Sequence, residues 1–363
     1  MLRRRHIFRY QSTNAPPPLC DSVMVTIGNT PLVRLDRLCS ALGINNGNDG
    51  SKKNQPTILA KLENTNPGQS KKDRIALEII QQAKANGQLQ EGQPVVELTS
   101  GNTGTGLAIV CPLLGHPFHA VMSKGNSKER AQMMKMLGAQ VVLVPQASTS
   151  RKNQVSGEDL ALVEIAAQRL CQELGAFRVD QFQRQANADA HYHGTAHEIL
   201  EQTKGILQID GFVDFVGTGG SFAGCAKRFK ESLGPDNVKC FILEPAGIAP
   251  LAKKYDNQYK NHGNNANKNH VIQGGGYDMD HLALIAPLIP LGYVDGFLQV
   301  TNAEATNMAR LLAKTEGIFG GFSSGANLHG AVEMIRQGNA TNVVSLVCDS
   351  GSKYYSANLL PDD

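Results

Sequence analysis

No apolar run in the 363 residues approaches the roughly 18 consecutive residues of a membrane-spanning helix, so the sequence predicts no integral membrane segment. The seven cysteines (Cys20, Cys39, Cys111, Cys171, Cys225, Cys240, Cys348) never form Cys-x-x-Cys, and they read as buried thiols of a reducing compartment, not as a disulfide framework or a zinc site. No Gly-Lys dipeptide occurs, which excludes a Walker A loop. Net charge is only +3, and much of that excess sits in the first nine residues, so the footprint of a nucleic-acid-binding protein is missing too. His193 and His197 lie four apart, beside His191, but they have no Glu-x-x-His context or cysteine partner, and no metal site is expected.

What remains has the composition of an ordinary globular protein, 41% hydrophobic and 18% charged, and is long enough for two domains. Residues 1–20 carry Arg3, Arg4, Arg5 and Arg9 with no acid before Asp21, the pattern of a mitochondrial targeting segment; the plain alternative is a basic tail before the stiff spacer Pro16-Pro17-Pro18. From Thr57 onward, short apolar strands alternate with helical patterns. Strands are expected at 57–62, 94–98, 118–122, 140–144, 212–216, 238–243 and 343–347, and helices at 73–85, 127–137, 158–174 and 303–315, among others. That rhythm predicts an α/β fold of mostly parallel sheets with helices on both faces, whose ligands sit at the carboxyl ends of the strands. Residues 44–56 and 254–270 are polar and Asn-rich, and read as surface insertions.

Three strand-to-helix junctions carry chemistry. At the first, Asn66 to Arg74, Lys71 and Lys72 stand at the mouth of a predicted helix. Unpaired N–H groups there disfavour a second cation, so one ammonium should deprotonate readily, and a neutral lysine can condense with an aldehyde. At the second, Thr99-Ser100-Gly101-Asn102-Thr103-Gly104 offers hydroxyls and N–H groups suited to a carboxylate. At the third, Gly217-Thr218-Gly219-Gly220-Ser221 opens another helix. A Rossmann fingerprint would need glycine at Phe222, so this loop suits a single phosphate rather than a dinucleotide.

Taken together, these strings resemble the cysteine synthase (O-acetylserine sulfhydrylase) family of fold-type II pyridoxal phosphate (PLP) enzymes, within the cystathionine β-synthase-like superfamily. Asn-Pro-x-x-Ser-x-Lys-Asp-Arg at 66–74 resembles the family's cofactor-lysine motif, and the resemblance makes Lys72 the Schiff-base lysine. Lys71 stands where the family usually has a small or apolar residue, and Gln69 where it has Gly or Cys. The resemblance implies that Thr99, Ser100, Gly101, Asn102 and Thr103 hold the substrate carboxylate, with Asn102 also on the cofactor's ring oxygen. It assigns the cofactor phosphate to Gly217, Thr218, Gly219, Gly220 and Ser221, the pyridine nitrogen to Ser350, and a second carboxylate contact to Gln181. A serine at the nitrogen cannot keep it protonated, which favours β-elimination over transamination.

The implied architecture is two three-layer αβα domains. The smaller, mobile one would span 56–180 and carry Lys72 and the 99–104 loop; the larger, phosphate-binding one would take 21–55 plus 181–363. The implied reaction joins sulfide to O-acetyl-L-serine, giving L-cysteine and acetate by ping-pong kinetics in a homodimer. Cystathionine β-synthase, serine/threonine deaminase or cysteine desulfhydrase activity, or a silent PLP-binding interaction protein, are the alternatives. Lys124 and Asn126 depart from the family's Glu and Met in the segment that closes over substrate.

Overall fold

The computed structural model describes residues 19–44, 55–147, 155–256, 272, 275–276, 282–355, 357 and 359–360. The expected targeting segment, apart from its last two residues, and most of both polar insertions lie outside the described residues.

Among the described residues, ten strands form two sheets: β1 (Leu32–Arg34), β2 (Thr57–Leu62), β3 (Val95–Leu98), β4 (Phe118–Ser123), β5 (Gln140–Val144), β6 (Phe177–Arg178), β7 (Gly211–Phe215), β8 (Lys239–Pro245), β9 (Gly296–Val300) and β10 (Asn342–Val347). The larger sheet has the order β1-β2-β10-β7-β8-β9 and the smaller β5-β4-β3-β6. Every pairing is parallel except β1 with β2.

Parallel strands buried on both faces need apolar side chains in both alternating sets, and the larger sheet supplies them. Val213, Leu243 and Val343 pack with residues of the helices Asn302–Glu316 and Phe322–Arg336 on one side. Their neighbours Phe212, Ile242 and Val344 pack with Phe222 and Phe229 of the helix Gly220–Leu233 on the other. Phe212 meets Phe229 edge-on at 5.3 Å between ring centres, and each such buried side chain contributes on the order of 2 kcal/mol. Around the smaller sheet, Val95, Phe118 and Ala120 pack against Ile75, Ile79 and Ile80 of the helix Lys72–Ala85, while Val96 and Val121 face the opposite side with Val163 and Ala167.

The strand Thr57–Leu62, grouped on the sequence with the smaller unit, belongs to the larger sheet, where it pairs in parallel with β10 from Thr57 opposite Asn342 to Leu62 opposite Val347. Its first five residues are buried, which a place between two neighbouring strands explains. The chain therefore enters the smaller layer only after Leu62, along the lysine-bearing helix. The short strands β6 and β9 were not among those predicted, because two residues and a glycine-led pentapeptide give little periodicity to read.

Candidate active site

Four chain segments leave the carboxyl ends of strands and meet. Residues 63–72 follow β2, residues 99–101 follow β3, residues 216–219 follow β7 and residues 348–350 follow β10. The first is a tight turn held from all sides. Gln69 takes φ +59, and a Cβ on Gly68 would come within 2.4 Å of the Asp73 carboxylate, which also accepts the Gly68 N–H. Asn66 accepts the Gly28 N–H at 2.8 Å and donates to the Glu63 carbonyl at 2.8 Å. Ser70 Oγ accepts the N–H of Lys72 at 3.2 Å. The backbone is then stitched to the end of β10: Lys71 N–H donates to Cys348 O at 2.9 Å and Ser350 N–H to Gln69 O at 3.1 Å. The letters from Asn66 to Asp73 thus fix where two lysines point.

Those lysines meet opposite environments. Lys71 is buried, and its Nζ lies 3.0 and 3.1 Å from the two Asp214 carboxylate oxygens and 2.8 Å from Ser221 Oγ. Burial works against its charge, but the Asp214 carboxylate more than offsets it and holds the ammonium above the ordinary lysine value. Lys72 is half-buried, and the one hydrogen bond its Nζ makes among the described residues goes to Thr218 Oγ1 at 3.2 Å. Burial, reinforced by the charge of Lys71, pulls its amine down to about 7. At neutral pH a large share of Lys72 is therefore the free amine.

Two helices present N-termini to this centre. The helix Asn102–Leu113 starts after Gly101 and the helix Gly220–Leu233 after Gly219, at φ +86, and neither of these cap residues has a side chain to cap the turn. Apart from the Gly104 N–H, which Thr99 Oγ1 accepts, their leading N–H groups are available to anions. Gly220 has no room for a side chain, since a Cβ would lie 2.0 Å from Asn187 Oδ1. A hydrogen-bonded relay joins the two ends. Thr103 Oγ1 donates to Gln181 Oε1 at 2.6 Å, and Asn187 Nδ2 donates to Gln181 O at 2.7 Å and to Thr218 Oγ1 at 2.9 Å. Glu97 anchors that relay from β3 by accepting the N–H groups of Asp180 and Gln181 at 2.9 and 3.5 Å.

The remaining predicted residues fall around this centre. Thr99 Oγ1 accepts the Gly104 N–H at 3.0 Å, while Ser100 offers its carbonyl to Arg130 at 3.5 Å. Asn102 donates to Asp349 Oδ2 at 2.7 Å and accepts from Lys353 Nζ at 2.7 Å. Ser350 Oγ lies 2.8 Å from Ser352 Oγ and accepts the Ser352 N–H at 3.2 Å. The Ser221 hydroxyl is engaged by both Lys71 and Asp214, leaving its backbone N–H as its contribution to the glycine loop. Of the three histidines, His191 is buried against Thr195 Oγ1 at 2.9 Å, and His193 and His197 are exposed.

Sequence reasoning missed Asp214, Asn187, Glu97 and Asp349. Asp214 had a readable signal: one acid inside the apolar run Phe212-Val213-Asp214-Phe215-Val216 calls for a buried cation.

Comparison with known proteins places these features in context. The model of a family described as pyridoxal-phosphate dependent enzyme matches residues 23–349. A cysteine synthase of Staphylococcus aureus is 32% identical over 344 residues, covering 94% of this chain and 98% of the relative. Among solved structures, an O-acetyl serine sulfhydrylase, isoform 3, of Entamoeba histolytica superposes with TM-score 0.80 at 32% identity, covering 97% of this chain and 95% of the other. An O-ureido-L-serine synthase superposes with TM-score 0.76 at 30% identity over 94% and 95% of the two chains.

Proposed function

Because the chain belongs to the family of pyridoxal-phosphate dependent enzymes, and is an enzyme of cysteine-synthase type, we propose that it catalyses β-replacement on an O-activated L-serine, converting O-acetyl-L-serine and sulfide to L-cysteine and acetate. The observation that carries this reading is the Lys72 amine, near neutrality and 3.2 Å from the hydroxyl of a glycine loop that opens an uncapped helix.

The residues present fit the cofactor. The N–H groups of Gly217–Ser221 with the Thr218 hydroxyl would hold its phosphate, Lys72 would meet its aldehyde, and Asn102 and Ser350 would flank its ring. When bound, pyridoxal phosphate supplies an electron sink for the pair left at the substrate's α-carbon. The protein's part is positioning and proton transfer. The loop and helix start at Thr99–Thr103, with Gln181, bind the α-carboxylate. Released when the substrate's own amine takes its place, the Lys72 Nζ amine would take the α-proton as general base. The β-carbon then loses acetate and bonds the incoming sulfur, and Lys72 returns the proton.

A second reading for the entering group is supported by the likeness to an O-ureido-L-serine synthase, which keeps nucleophiles other than sulfide in play. The Arg-rich start of the chain supports mitochondrial import. A homodimer is part of the same reading, and light scattering should give twice the 39.0 kDa chain mass.

Absorbance of the purified holoenzyme tests the chemistry. Its visible band should change on adding O-acetylserine alone and return on adding sulfide. A band that ignores O-acetylserine would leave cofactor binding intact and remove this substrate.

A further inference from the structure

Two neighbouring lysines at one cofactor site pose a selection problem, since either amine could condense with an aldehyde. We propose that the buried Lys71–Asp214–Ser221 cluster is a device that withholds Lys71 from the cofactor and leaves Lys72 as the reacting amine.

Asp214 is buried at the end of β7. It meets Lys71 Nζ at 3.0 and 3.1 Å, accepts from Ser221 Oγ, and accepts from Asn327 Nδ2 at 3.0 Å. Lys71 donates onward to Ser221 Oγ at 2.8 Å. A lysine held by a carboxylate and a hydroxyl in a site closed to water keeps its proton, because losing it would leave the carboxylate charged, buried and unpaired. An ammonium has no lone pair with which to attack a carbonyl carbon. Lys72, tied to Thr218 Oγ1 at 3.2 Å with no carboxylate bonded to it, has one. The adjacent Lys71 charge also favours the free amine of Lys72. The same cluster holds the Ser221 side chain at the end of the glycine loop, so positioning of the loop and selection of the lysine share one set of bonds. Asp214 and Lys71 are positioning residues in this scheme.

The inference rests on the cofactor-lysine reading, and trapping separates the two. When the neutral amine joins the cofactor's aldehyde, a C=N bond forms and water leaves. Borohydride then adds hydride to that carbon and the nitrogen takes a proton, giving a stable pyridoxyl-lysine that peptide mass spectrometry locates. In the wild-type holoenzyme the label should lie on Lys72. No label on either lysine, or label on Lys71, would overturn both readings. In Asp214→Asn, at least one-tenth of the label should move to Lys71; label confined to Lys72 in the folded variant would sink the selection role alone. Lys72→Ala keeps the cluster intact and guards against poor folding of Asp214→Asn. It should give no label on Lys71, whereas strong labelling there would show that the ion pair withholds nothing.

Discussion

Glu198 offers the most direct physical check on how the lysine-bearing helix is held. Its carboxylate, 13% exposed, takes five donors: Asn29 N–H at 2.9 Å and Arg74 Nη1 at 2.6 Å on one oxygen, and Thr30 N–H at 3.2 Å, Arg74 Nη2 at 2.8 Å and Lys61 Nζ at 2.7 Å on the other. Burial opposes the charge, but these bonds and the two cations outweigh it and bring the carboxyl from 4.5 down to about 2. At roughly 1.4 kcal/mol for each tenfold change in proton affinity, the ionised group contributes on the order of 3 kcal/mol to folding. The sign follows from the depression: the contribution is complete above the unfolded value near 4.5 and is lost as pH falls toward 2. In Glu198→Gln an amide NH₂ must face at least two donors in either orientation, so the variant should lose about 3 kcal/mol at pH 7. The gap to wild type should shrink to less than half by pH 3. Urea unfolding followed by circular dichroism, needed because the chain has no tryptophan, measures the gap at each pH. A gap below about 1 kcal/mol at pH 7, or one unchanged at pH 3, would refute the reasoning.

Three further outcomes follow from the site. On the cofactor-lysine reading, Lys72 is condensed with the cofactor in the free holoenzyme and is a free base only once substrate has displaced it. So kcat, which reports the substrate complex, should rise about tenfold per pH unit below about 7 and level off above it; a flat kcat profile from pH 5.5 to 9 would remove Lys72 from that role. Gly220→Ala places a Cβ 2.0 Å from Asn187 Oδ1, and the forced shift should weaken cofactor retention at least about tenfold in an equilibrium dialysis assay; unchanged retention would mean that the loop is not where the phosphate binds. Thr103→Val removes the donor to Gln181 at 2.6 Å, and steady-state kinetics should show KM for the amino acid raised about tenfold with a smaller change in kcat; an effect on kcat alone would place the Thr103–Gln181 pair outside ground-state binding.

Much of the fold was legible because short apolar strands advertise themselves, whether buried as at Thr57–Leu62 or at a sheet edge as at Gln140–Val144; both were placed to the residue, and the lysine helix to within one position. The glycine loops were legible for the same reason, as each interrupts an apolar strand just before a helical pattern. Sheet membership was not legible. Whether β2 pairs with β3 or with β10 depends on contacts 285 residues apart, Thr57 with Asn342, which no local period encodes. The buried polar partners were hidden in the same way. Asn187 sits among alanines, and its tie to Thr218 appears only when the helix Ala186–Ala190 is laid against the helix Gly220–Leu233. Lys71 was visible as an oddity, and Asp214, 143 positions away, supplies its reason.

The stitching of the lysine turn to the end of β10 also orders events in the life of the chain. Lys71 and Gln69 bond to Cys348 and Ser350, and β2 is flanked on one side by β10. A ribosome delivers residue 72 some 270 positions before residue 342, so a growing polypeptide carries its reactive amine long before the wall behind it exists. On the reading that Lys72 captures the cofactor's aldehyde, that capture is a post-synthetic event, and a nascent chain that meets free pyridoxal phosphate has no finished pocket in which to keep it.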